Sequence, residues 1–83
     1  MGKLKSYRKK IDIIDKKIVK LLMSRFELAR QISIYKKWNK LEIIDKKRER
    51  QVINNIKKFS NKHKKFVIGI FKNIITYSKK LQK

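Results

Sequence analysis

Leu4, Tyr7, Ile11, Ile14, Ile18, Leu21, Leu28, Ile32 and Tyr35 follow one another in steps of three and four, with one interruption. That is the spacing of a single helical face. It predicts a first helix over about residues 4–37, roughly 50 Å long at 1.5 Å per residue. The period breaks at Trp38-Asn39-Lys40-Leu41-Glu42, which reads as a loop. Val52, Ile53, Ile56 and Phe59 resume it and predict a second helix over about 45–61. Asn61-Lys62-His63-Lys64-Lys65 reads as the next connection, and Val67, Phe71, Ile74 and Ile75 predict a third helix over about 66–81. There is no proline, and Gly2 and Gly69 are the two glycines, so turn punctuation is nearly absent. The expected fold is all-α: a three-helix chain with a long first helix, forming one domain over residues 1–83.

Size sharpens this picture. A lone chain of 83 residues buries only about 60% of its unfolded surface. It has no cysteine to staple it. The two shorter helices cannot cover a rod of roughly 50 Å, so a second copy is expected alongside the first.

Charge adds less than its size suggests. Lys+Arg number 26 against 6 Asp+Glu, a formal net charge of +20. Such a field attracts nucleic acid or anionic membrane. Yet the lysines are spread along the whole chain, as solvated outer faces require. Nucleic-acid binding is therefore expected to be non-specific at most. No apolar run approaches the ~18–20 residues of a membrane span, and no secretory leader is visible. A cytoplasmic protein is expected. With no cysteine and His63 as the one histidine, in a connection, no metal site is expected.

Some polar residues stand where packing alone does not ask for them. Arg25 fills the gap in the first stripe. A guanidinium on a buried seam is costly unless an anion pairs with it; the plainer reading is an arginine that snorkels or is salt-bridged at the seam edge. Arg25 and Lys36 lie roughly 16 Å apart along the axis and point to a similar side. Arg8 shares the heptad position of Lys36 but lies roughly 42 Å from it. The two cannot hold one small ligand from the same chain, so Arg8 joins such a site only from a partner running the other way. Ser78 and Gln82 continue the third stripe at i, i+4 spacing, either as a frayed end or facing a polar pocket. In Ile43-Ile44-Asp45-Lys46-Lys47-Arg48-Glu49-Arg50, two of the rare acids, Asp45 and Glu49, lie one helical turn apart. A helix N-terminus favours acids, and Asp45 suits an N-cap.

Taken together these positions are specific. Arg8-Lys9-Lys10-Ile11-Asp12-Ile13-Ile14-Asp15, followed by Leu21 to Ala29 with Arg25 inside it, resembles the opening helix of the all-helical class of chorismate mutases. Lys36 follows at that family's spacing. Asp45 to Arg50 resembles its second-helix motif, and Ile74 to Gln82 its third-helix ending. The resemblance covers nearly the whole chain. It implies an intertwined homodimer, a six-helix bundle whose long first helices span two composite active sites. The implied reaction is the pericyclic rearrangement of chorismate to prephenate on the route to phenylalanine and tyrosine, with no cofactor and no metal.

The resemblance also implies roles. Arg25 pairs with the enolpyruvyl carboxylate, and Arg8 of the other protomer with a substrate carboxylate across the dimer. Such charge-assisted pairs suit arginine. Lys36 contacts a carboxylate and the ether oxygen whose bond breaks, and Gln82 donates a second hydrogen bond to that oxygen. Ser78 meets the ring carboxylate region, and Arg48 supports the site. Glu49 accepts from the ring hydroxyl, with Asp45 beside it, partly through its backbone. Because Gln82 donates without first being protonated, a flat pH profile near neutrality is expected.

Glu42 stands where many members carry proline, and the Asn61–Lys65 connection looks a few residues shorter than usual. Two other readings compete. An isochorismate pyruvate-lyase shares the fold and cationic pocket, but Glu49 and the Ser78/Gln82 pair argue against it. A non-enzymatic basic helical dimer that binds nucleic acid would not depend on Glu49 or Gln82.

Overall fold

A computed structural model describes residues 2–81 of the chain. Among them are three α-helices and no strand: α1 (Gly2–Trp38), α2 (Lys46–Phe59) and α3 (Lys64–Leu81), with a 3-10 turn at Asn61–His63 before α3. The 37 residues of α1 make a rod of roughly 55 Å.

Each boundary has a local cause. At the end of α1, Leu41 N donates to Lys36 O at 2.8 Å and Lys40 N to Lys37 O at 3.3 Å. These are the nested bonds of a Schellman cap. The cap requires a left-handed residue, and Lys40 supplies it with φ 55°. Glycine usually takes that position, so it is the break in period, and not a cap residue, that marks this stop in the sequence. At the start of α2, Asp45 is the N-cap and its Oδ1 accepts from Arg48 N at 3.0 Å. The helix therefore begins at Lys46. It ends at Phe59, earlier than its periodicity suggests. Ser60 Oγ turns back to donate to Ile56 O at 2.5 Å, and Asn61 takes a left-handed φ of 48°, which asparagine tolerates better than most residues. His63 N then donates to Ser60 O at 3.1 Å, and this tight turn lets α3 start at Lys64 rather than Phe66.

The hub is α3, against which both α1 and α2 pack. Where α1 crosses it, the buried residues are small or match small ones: Ala29 and Ser33 on α1, Ile74 and Ser78 on α3. Ala29/Ser33 and Ile74/Ser78 are each i, i+4 pairs, one face of each helix. Phe26 and Tyr77 meet edge to face beside this crossing, with ring centroids 4.9 Å apart.

The chain is elongated, 58 × 24 × 15 Å with a radius of gyration of 16.4 Å, where a compact domain of this length has about 12 Å. The first half of α1 accounts for the excess. Ile11, Ile14 and Ile18 are 55, 54 and 50% exposed, and the stripe continues open through Leu28 and Ile32, beside the buried Ala29/Ser33 face. Among the described residues, no helix is long and apolar enough to cross a membrane.

Candidate active site

The C-terminal half of α1, the loop after it, the start of α2 and the end of α3 enclose a cavity of about 310 Å³. Its wall combines Leu28, Ala29, Ile32, Val52 and Ile75 with Arg25, Lys36, Asp45, Arg48, Glu49, Ser78 and Lys79. It has the form of a small-ligand site: an apolar body with a few converging polar groups.

Arg25 reaches from α1 to α3, where its Nη1 donates to Ser78 Oγ at 2.9 Å. Ser78 is buried and in turn donates to Ile74 O at 2.8 Å. The serine is thus fixed by its own helix and presents a lone pair to the guanidinium. Among the described residues no carboxylate is bonded to Arg25. Burial first, and the like charge of Arg48 second, hold its pKa below the usual guanidinium value. The arginine stays charged all the same, so the pocket favours any anion that relieves the strain between these cations.

Lys36 is held at both ends. Its carbonyl closes the Schellman cap, and its ammonium donates to Ile43 O at 2.9 Å across the loop. Asp45 spends one oxygen on capping α2, and Glu49 N donates to Asp45 O at 3.1 Å. The pair of acids noted in the sequence therefore splits: Asp45 organises the helix start, and Glu49, one turn on, looks into the cavity. Glu49 Oε1 is buried and ion-pairs with Lys79 Nζ. Around this cavity stand four cationic side chains and two carboxylates. This excess of positive charge on a partly apolar wall suits a small anionic ligand.

Residues 7–83 match the family described as Chorismate mutase type II. The chain belongs to that family. A chorismate mutase of Methanocaldococcus jannaschii is 38% identical to it over 84 residues, covering 98% of this chain and 85% of the relative. No solved structure matches significantly.

Of the site residues that the type II chorismate mutase resemblance implies, the structure gathers Arg25, Lys36, Asp45, Arg48, Glu49 and Ser78 around the one cavity. Arg8 is not among them. It is exposed on the bare half of α1, about 25 Å along the axis from Arg25. Gln82 lies outside the described residues. The structure adds Lys79, which the sequence reading missed, because one lysine among 26 basic residues carries no signal. A partner for Glu49 one residue beyond Ser78 was the clue available. Among the described residues no cluster of His, Asp and Glu is arranged to hold a metal ion.

Proposed function

We propose that this cavity binds chorismate and converts it to prephenate by holding the reactive conformer and stabilising charge at the ether oxygen. Membership in the type II chorismate mutases makes the chain an isomerase; the mechanism proposed for it is argued from the residues that line the cavity. In this reading Arg25 pairs with the enolpyruvyl carboxylate, and Arg48 adds to the positive field. Lys36 leaves Ile43 O to meet a carboxylate and the ether oxygen. Ser78 lies by the ring carboxylate, and Glu49 accepts the ring hydroxyl with Asp45 beside it. Gln82, one i, i+4 step beyond Ser78 in the sequence, donates the second bond to the ether oxygen. Negative charge grows there as the C–O bond stretches, so these donors bind the transition state better than the substrate. Holding the enolpyruvyl arm over the ring contributes further by removing unproductive conformers.

The reading includes a homodimer, a six-helix bundle in which the partner's copy of Arg8 completes each site. The exposed stripe of α1 supports it, since a single chain leaves Ile11, Ile14 and Ile18 in water. We place residues 1–83 in a single domain and the enzyme in the cytoplasm.

The observation that carries the mechanism is the convergence of the Arg25, Lys36 and Arg48 side chains, none of those charged groups bonded to a carboxylate among the described residues, with Glu49 on one cavity. The test is loss of chorismate absorbance on adding the purified chain, with prephenate identified as product. Arg25→Ala is expected to abolish turnover while remaining folded. Isochorismate, offered in parallel, is expected to be left unchanged; its cleavage would favour the lyase reading.

A further inference from the structure

Lys79 ion-pairs with Glu49 and stands on the wall of the cavity, yet no role falls to it in the mechanism above. It also borders a second, more open groove between α2 and α3, flanked by Lys46, Arg50, Lys57 and Lys72. The Glu49–Lys79 pair is therefore the partition between the two spaces, together with Ile75, which lines both.

The arrangement answers a problem that the site creates for itself. Glu49 is a carboxylate in a cavity with Arg25, Lys36 and Arg48. Left alone, it is an anion within the same cavity as those cations, and a Glu49 paired with one of them neutralises the charge that a dianion requires. A carboxylate has two oxygens and about four lone-pair positions. Engaging Oε1 with the Lys79 ammonium leaves capacity for a hydroxyl donor while giving the carboxylate a partner other than Arg25, Lys36 and Arg48. We infer that Lys79 is a positioning residue, an internal counterion that holds Glu49 against α3 so that it accepts the ring hydroxyl and does not quench the pocket. This rests on the proposed role of Glu49.

The test is steady-state kinetics of the full chain on chorismate and on an analogue whose ring hydroxyl is methylated. Lys79→Met is expected to raise KM on the order of tenfold, with a smaller fall in kcat and a weaker preference for chorismate over the analogue. Lys79→Arg is expected to restore most of the loss. The double variant Glu49→Gln/Lys79→Met is expected to have a lower KM than Lys79→Met alone, because the released carboxylate is gone. A merely structural lysine gives additive losses and no such reversal. Additive losses, or a Lys79→Met KM within about twofold of wild type, overturn the inference; Lys79→Gln provides the same comparison if the methionine variant does not fold. Glu49→Gln with unchanged hydroxyl preference overturns the acceptor role instead. A wild type that leaves chorismate untouched overturns the activity and this inference with it.

Discussion

In the first half of α1, Ile11, Ile14 and Ile18 face solvent; in the second half, Ala29 and Ser33 are buried against α3. The heptad spacing runs through both halves without change of phase. What differs is where the complementary surface comes from. The second half finds it within the chain, because α3 folds back along it. The first half has nothing to fold back, as α2 and α3 together are shorter than α1. The stripe itself stays exposed in both halves, with Leu28 and Ile32 still 58 and 49% exposed, so α3 covers the neighbouring Ala29/Ser33 face and leaves the stripe open along the whole of α1. The residues of the proposed chemistry are divided in the same way: Arg25 and Lys36 lie on the packed half, and Arg8 on the bare one.

The largest effect is expected in the packed half. Lys36→Ala should lower turnover on the order of 10²–10³ or more, as loss of a donor to developing oxyanion charge does. Initial rates at saturating chorismate measure it, and a variant within about tenfold of wild type would remove Lys36 from the ether oxygen.

Arg8 breaks or sharpens the comparison directly. Arg8→Ala is expected to lose on the order of tenfold to a hundredfold in kcat/KM, in the range for one desolvated charge-assisted pair. Mixing Arg8→Ala with Arg25→Ala chains and allowing exchange should regain activity that neither has alone, because one hybrid site carries both native arginines. Absence of any regain would place both residues in the same chain's site, or Arg8 in none.

Ile14→Asp should convert the assembly to monomers by sedimentation and lower the melting temperature. A lone exposed isoleucine would tolerate the same change with little loss. The smallest effect belongs to the end of α1. Lys40→Gly relieves a left-handed backbone and is expected to stabilise by a few tenths to about 1 kcal/mol, with turnover unchanged. Denaturant melts read it.

The comparison also explains what could be read without a structure. The three helices follow from periodicity, since each stripe is unbroken by glycine or proline. Arg25 and Glu49 were conspicuous because each is rare in its setting, a cation inside an apolar stripe and an acid in a basic chain. Lys79 was invisible for the opposite reason. The end of α1 was legible from the break in period at Trp38, although lysine rather than glycine takes the left-handed cap position there. The early start of α3 depends on Asn61 and a 3-10 turn, neither of which has an apolar period to betray it. Ser78 was legible only as a polar residue continuing a stripe, and its burial at the α1–α3 crossing shows why a small hydroxyl suits that position.

The bond from the Lys36 ammonium to Ile43 O at 2.9 Å sets an entry threshold for ligands. Any molecule that recruits this lysine must displace a peptide carbonyl already in place. A carboxylate does so with profit, since it adds the attraction of two opposite charges to a bond that the ammonium already makes with a neutral acceptor. An uncharged ring of the same outline gains nothing from the exchange and leaves the loop closed. The carbonyl of Ile43 thereby works as a resident competitor, and it weakens every ligand by the same amount except in what each offers in return.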